Sequence, residues 1–195
     1  MENNIYILGV GGQGAIRLGQ IIANYSLEKG EKIKFFKEVG MAQRGGPVHC
    51  ELRIGDIFGS RIPPYSSDVV VVMELAEGLK ALEFVKPGGT VLLNKKKVYP
   101  IDIITHPEKY PREKEIEKLF KETKAKLMWI DAEKIASEAG LPIAENIVLL
   151  GALSFISSFD KEFIINILKK YIPRELDKNI AAFRAGYETA EGMDK

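Results

Sequence analysis

Residues 4–14 read NIYILGVGGQG, and this stretch decides the fold. Ile5 to Val10 form a short apolar run, as expected of a buried strand. The glycines then mark a tight turn, and from Ala15 the residues favour helix. Ile16, Ala23 and Leu27 are predicted on one face, with Leu18, Ile21, Ile22 and Tyr25 widening the apolar stripe. Gly30 stops this helix, and IKFFKEV (33–39) reads as a second strand. Strand, helix and strand in about 35 residues make a βαβ unit, whose crossover is right-handed in almost all proteins.

Beyond this unit, 40–47 is loop chemistry. Val48, Cys50, Leu52 and Ile54 alternate with His49, Glu51 and Arg53, predicting a half-buried strand with one polar face. Gly55 and Asp56 suit a two-residue turn into IFGSRI (57–62), so an antiparallel hairpin is predicted inside a mostly parallel sheet. SDVVVVM (67–73) reads as a strand covered on both faces. A helix is predicted over 74–85, a turn at 87–89 and strands at 90–94 and 126–130. The charged stretch between those strands is read as an exposed excursion and then a surface helix. Asp131 and Asp160 are predicted N-caps, and 146–158 reads as a buried helix. The predicted architecture is one Rossmann-like α/β domain over 1–195, with residues 1–131 forming the sheet and 132–195 supplying C-terminal helices.

Composition excludes several functions. The chain has 195 residues, 28 Lys+Arg against 27 Asp+Glu, one Cys and two His. Near-zero net charge gives no electrostatic reason to expect nucleic acid or an anionic membrane. No apolar stretch approaches the ~20 residues of a membrane span, and the N-terminus lacks a basic region before its apolar run. A cytoplasmic protein is expected. One thiol forms no internal disulfide and cannot hold an iron–sulfur cluster, and two His leave too few ligands for structural zinc.

Gly9, Gly11 and Gly14 fit G-x-G-x-x-G, with Gly12 and Gln13 between them, after a strand and opening a helix. Such a loop can bring backbone N–H groups to a phosphate, and Glu38 ends the second strand roughly where a ribose would sit. That reading is a free-standing NAD(P)- or FAD-binding dehydrogenase. Against it stand tight strand–helix packing and contact with a partner chain. The second candidate loop holds Gln43, Arg44, Gly45 and Gly46. In a doubly wound sheet it would meet the first loop at one crevice, where Arg44 could grip a phosphate or carboxylate. His49 and Cys50 are adjacent on a strand and point to opposite faces, so they form no nucleophile–base pair. Cys50 reads as core, His106 as a loop histidine, and Lys95–Lys97 as an exposed strand end.

The runs GVGGQGAIRLGQIIA, KEVGMAQRGGPVHCELRIGD, SDVVVVMELAEGLKAL, PGGTVLLN, ENIVLLGAL and NIAAFRAGYE together resemble the gamma-type subunits of 2-oxoacid:ferredoxin oxidoreductases. Within that group the chain is most similar to the indolepyruvate:ferredoxin oxidoreductase beta subunit. The pairing of G-x-G-G-Q-G with A-Q-R-G-G is the specific element. The resemblance implies a subunit in the oxidative decarboxylation of a 2-oxoacid to acyl-CoA, with electrons passing to ferredoxin. The thiamine-binding G-D-G element of that family is missing, because Ile57 follows Gly55 and Asp56. The resemblance therefore implies thiamine diphosphate, magnesium and [4Fe–4S] clusters on a large partner subunit, coenzyme A as co-substrate of the complex, and no cofactor or catalytic residue on this chain. It also implies site or partner contacts at the two loops. The apolar loops and long apolar C-terminal helix add the expectation of a homodimer when the chain is isolated.

Overall fold

The computed structural model describes residues 2–40, 46–98 and 110–194. Six strands form one sheet: β1 (Asn3–Val10), β2 (Ile33–Val39), β3 (Pro47–Ile54), β4 (Ser67–Val72), β5 (Val85–Asn94) and β6 (Lys126–Ile130). Their order is β2-β3-β1-β4-β5-β6. β1, β4, β5 and β6 are parallel, while β3 runs antiparallel to both β1 and β2.

Helix α1 (Ala15–Glu28) leads from β1 to β2. The two strands share a direction, as a βαβ unit requires, but β3 is wedged between them. The antiparallel hairpin exists with different arms from those predicted. β2 pairs with β3, Ile33 opposite Ile54 and Val39 opposite Val48, and 57–62 forms no strand. That segment lies instead over the face carrying Glu51, whose carboxylate accepts the Ile62 N–H at 2.5 Å. The predicted polar face of β3 is therefore not a solvent face: Glu51 is 1% exposed.

Two apolar cores flank the sheet. Ile5, Ile7, Cys50 and Leu52 pack with Leu18, Ile22 and the C-terminal helices on one side. Tyr6, Leu8, Val70 and Val72 pack on the other with a 3-10 helix (Leu75–Glu83) and α2 (Glu113–Lys121). The expected helix over 74–85 takes this 3-10 form, and the buried Glu74 carboxylate receives the Ala76 and Glu77 N–H groups at its start. Tyr110 O–H also donates to Glu74. The glycines at 88 and 89 make no free turn; they lie within β5, where the register against β4 shifts and a Cβ on Gly89 would stand 3.0 Å from Asp68 O. In α1, Leu18, Ile21, Ile22 and Tyr25 are core, whereas Ile16 is only partly buried and Leu27 is 60% exposed.

Helices α3 (Ala132–Glu138), α4 (Glu145–Ile156), α5 (Lys161–Tyr171) and α6 (Leu176–Met193) complete the α1 side. Asp131 and Asp160 cap α3 and α5, accepting the Lys134 and Phe163 N–H groups at 3.0 Å each. α4 is buried almost all round, as its sequence requires.

Candidate functional site

Parallel strands deliver their following loops to one edge of the sheet, which makes the carboxyl edge the candidate site. There the first glycine loop leaves β1. Gly12 and Gly14 take φ of +101° and +81°, the region open to glycine without strain. Gly14 is also held by space: a Cβ there would meet Asn146 Nδ2 at 2.7 Å, at the start of α4. Gln13 turns back on its own loop. Its Oε1 accepts the Val10 N–H at 2.9 Å, and its Nε2 donates to Met73 O at 3.1 Å.

The two predicted loops do meet. The Gly11 N–H donates to Gly46 O at 2.9 Å. Gln43, Arg44 and Gly45 lie outside the described residues, as does His106. Gly9 fits against Met73 Cβ, where a Cβ of its own would stand 3.2 Å away, so this glycine serves the packing of β1 on the end of β4. Gly11 and Gly12 are exposed. Beside them opens a groove of about 1030 Å³ between α1 and β2, lined by Ile16, Arg17, Gln20, Phe35, Lys37 and Val39 among others.

This geometry is a poor dinucleotide site. Two loop amides that a diphosphate would use are already spent within the chain, Gly11 on Gly46 and Gln13 on Val10 O at 3.2 Å. Glu38 stands two strand spacings from β1, roughly 10 Å, because β3 intervenes. Its register partner His49 sits opposite Leu8, so Glu38 belongs to the face away from α1. There it faces Arg61 Nη1 at 3.7 Å and His49 Nε2 at 3.5 Å.

Sequence reasoning missed the cluster behind Glu38. Arg61 Nε meets Glu51 Oε1 at 2.7 Å and its guanidinium covers the Phe36 ring at 4.3 Å. Tyr6 stacks on Phe84 and His49. Burial, with the Glu51 charge adding to it, pushes the Tyr6 hydroxyl far above its ordinary range. The only available signal was a Glu at a strand position between two core residues, with an Arg ten residues on.

Cys50 is fully buried on the α1 side, and burial pushes its thiol up to about 11. His49 points to the other face, so the two form no catalytic pair. Among the described residues no group of three or more His, Cys, Asp or Glu could hold a metal ion, and the sole thiol faces the core. With one thiol, and that one buried, these residues do not fit an iron–sulfur cluster, which needs about four ligands. Near the same edge Lys96 sits between Glu133, 2.6 Å away, and Glu145, 3.1 Å away. Burial opposes its charge, but the two carboxylate bonds outweigh burial and hold its pKa above the ordinary value.

Residues 4–189 match the family described as pyruvate ferredoxin/flavodoxin oxidoreductase. The chain belongs to that family. It is 36% identical to the indolepyruvate oxidoreductase subunit IorB of Methanothermobacter thermautotrophicus, over 97% of this chain and 98% of that one. It is 35% identical to the common gamma subunit of the pyruvate/ketoisovalerate oxidoreductases of Pyrococcus furiosus, over 94% of each. Among solved structures, the pyruvate oxidoreductase subunit PORC of Thermotoga maritima aligns with a TM-score of 0.72 at 30% identity, over 96% of both chains. A 2-oxoglutarate:ferredoxin oxidoreductase of Magnetococcus marinus shares the fold at TM-score 0.75 and 20% identity, this chain corresponding to 31% of that longer one. The chain is thus a subunit of a 2-oxoacid:ferredoxin oxidoreductase, and the free-standing dehydrogenase reading falls. Among the described residues no helix is long and apolar enough to cross a membrane.

Proposed function

We propose that this chain is the non-cofactor-bearing subunit of a cytoplasmic oxidoreductase that converts indolepyruvate or a related arylpyruvate to its acyl-CoA and passes the electrons to ferredoxin. The observation that carries the substrate is end-to-end similarity to subunits named for indolepyruvate oxidoreductase, at 36% and 34% identity over 97% and 98% of this chain. In this reading the large partner subunit holds thiamine diphosphate, magnesium and [4Fe–4S] clusters, uses coenzyme A, and hands electrons to ferredoxin.

The chain contributes one α/β domain whose carboxyl edge faces that partner. Gly9 and Gly14 let β1, β4, α1 and α4 close up behind the loop. Gln13 holds the loop in one shape, so the exposed Gly11 and Gly12 and the loop through Gln43, Arg44, Gly45 and Gly46 meet the large subunit or the cofactor end of the assembly.

The test is reconstitution with the large subunit encoded in the same source, followed by ferredoxin reduction with indolepyruvate, pyruvate and 2-oxoglutarate in the presence of coenzyme A. The expected result is no turnover by either chain alone, turnover by the complex, and preference for indolepyruvate. Preference for pyruvate overturns the substrate. An Arg44→Ala chain that assembles and turns over like the parent overturns the loop's role.

A further inference from the structure

β2 is the outermost strand on its side of the sheet, so half of its backbone polar groups turn away from β3. Two hydrogen bonds fix which half. Gly40 N–H donates to Pro47 O and Gly55 N–H to Lys32 O, both on the register that places Ile33 opposite Ile54 and Val39 opposite Val48. In an antiparallel ladder, successive residues alternate between bonding to the neighbour and facing away. The even-numbered residues from 32 to 40 therefore bond to β3. Ile33, Phe35, Lys37 and Val39 turn their N–H and C=O groups outward.

Long, unprotected edges recruit other strands, and proteins usually blunt them with proline, bulges or charge. β2 is seven residues long and has no proline. Its guards are Lys34 and Lys37, both exposed. They repel most strands, but not a second β2. Laid antiparallel about Phe36, two copies of IKFFKEV put Ile33 opposite Val39, Lys34 opposite Glu38 and Phe35 opposite Lys37. Outward residues then meet only outward residues, so each free N–H and C=O between Ile33 and Val39 finds a partner. Sliding the axis to Lys37 sets two like charges face to face and leaves Lys34 without an acid, which costs stability.

The surfaces flanking this edge agree. On one face Phe35, Lys37 and Val39 line the open groove beside α1, and Val39 is 54% exposed. On the other, Arg61 covers Phe36 and reaches Glu38, leaving Glu38, with 58% of its side chain exposed, able to face an incoming lysine.

We propose that β2 is a homodimer edge: two copies of this chain pair β2 to β2, antiparallel about Phe36, joining both sheets into one. The inference does not depend on the oxidoreductase substrate, and its test needs no turnover.

The experiment is light scattering and sedimentation of the full chain, with circular dichroism confirming the fold of each variant. The expected mass is twice 21.7 kDa. Lys34→Glu and Glu38→Lys each set like charges across the axis and yield monomer; combining both restores the dimer. Phe36→Cys supplies the register. Phe36 would face its own copy in a non-hydrogen-bonded pair with Cα atoms about 4.5 Å apart, close enough for a disulfide. This variant is expected to cross-link under mild oxidation, while Lys34→Cys does not, and buried Cys50 stays out of the reaction. A monomeric parent chain overturns the proposal, even if the large subunit then takes the strand edge. So does a dimer indifferent to both charge reversals, or one that cross-links through Lys34→Cys and not Phe36→Cys.

Discussion

The Gln13 side chain donates from Nε2 to Met73 O at 3.1 Å and so ties the glycine loop after β1 to the end of β4. Its other end closes the loop by accepting the Val10 N–H. Met73 O also receives Asn94 Nδ2 at 3.2 Å, so three neighbouring strand ends share one anchor. Gln13→Ala leaves the Val10 N–H without this acceptor and Met73 with one donor fewer. The expected loss is about 1–2 kcal/mol in urea unfolding, together with weaker assembly with the large subunit proposed above as partner. Gln13→Glu keeps the acceptor for Val10 but sets a carboxylate against the Met73 carbonyl, and should recover none of the loss. Full recovery by Glu would show that the Met73 bond contributes nothing.

Glu51 and Arg61 give a second prediction. A carboxylate buried to 1% exposure needs its donors, here Arg61 and the Ile62 N–H. Arg61 is itself 59% exposed, so water replaces part of what its removal takes away. Arg61→Ala should therefore cost about 1–2 kcal/mol, below the 3–5 kcal/mol typical of a wholly buried pair. Glu51→Leu removes the buried charge but strands the Ile62 N–H. Hydrogen exchange at Ile62 should accelerate more in Glu51→Leu than in Arg61→Ala. The opposite order would mean that the guanidinium, rather than the carboxylate, fastens this segment.

Where residue type and period spoke together, the sequence was legible. Apolar strands predicted at 4–10 and 67–73, the capping acids Asp131 and Asp160, and the largely apolar 146–158 stretch, helical as far as Ile156, each form the element that their local chemistry demands. The hairpin was misread because Gly55 and Asp56 carry a short-turn signature while the true partner of β3 lies across the loop after Val39, where no two-residue turn marks it. Pairing of this kind is set by burial of Phe35 and Cys50 on one face, a tertiary term absent from local spacing. The same holds for Glu51: alternation assigned it to a polar face, and only the return of 57–62 buries it. At the candidate site the glycine pattern was legible, and tight packing was one of its readings, but the packing partners were not. Gly9 and Gly14 fit against Met73 and Asn146, residues distant in sequence.

Cys50 provides a test through its ionisation. Its thiol is fully buried and is pushed up to about 11 by that burial. Between the ordinary thiol range and about 11, the folded chain holds this proton while the unfolded chain has lost it. The stability contributed by Cys50 is therefore whole below the ordinary thiol range and falls as pH climbs towards about 11. Cys50→Ser should flatten the alkaline end of the stability–pH curve, although the buried hydroxyl lowers stability at neutral pH. Thiol reagents should label the native chain only at the rate of unfolding, since the thiolate is the reactive form. Rapid labelling under native conditions would place Cys50 outside the core.

Gly151 and Gly186 allow α4 and α6 to cross in backbone contact. A Cβ on Gly151 would stand 2.0 Å from Phe183 O, and one on Gly186 would stand 2.0 Å from Val148 O. Both obstacles are main-chain atoms and cannot rotate aside, so either Gly→Ala change must separate the helices. Helix propensity alone would favour alanine by about 1 kcal/mol; the clash reverses the sign, and a net loss of about 3 kcal/mol is expected for each. Gly192 is the control. It lies in the last turn of α6 with nothing within 4 Å of its would-be Cβ, so Gly192→Ala should be neutral or gain a few tenths of a kcal/mol, limited by fraying. Thermal unfolding of the three variants decides between packing and propensity. If Gly151→Ala and Gly186→Ala match Gly192→Ala, the close crossing does not hold these helices together. If they lose stability while Gly192→Ala does not, the small residues in ENIVLLGAL and NIAAFRAGYE are there to let two backbones touch.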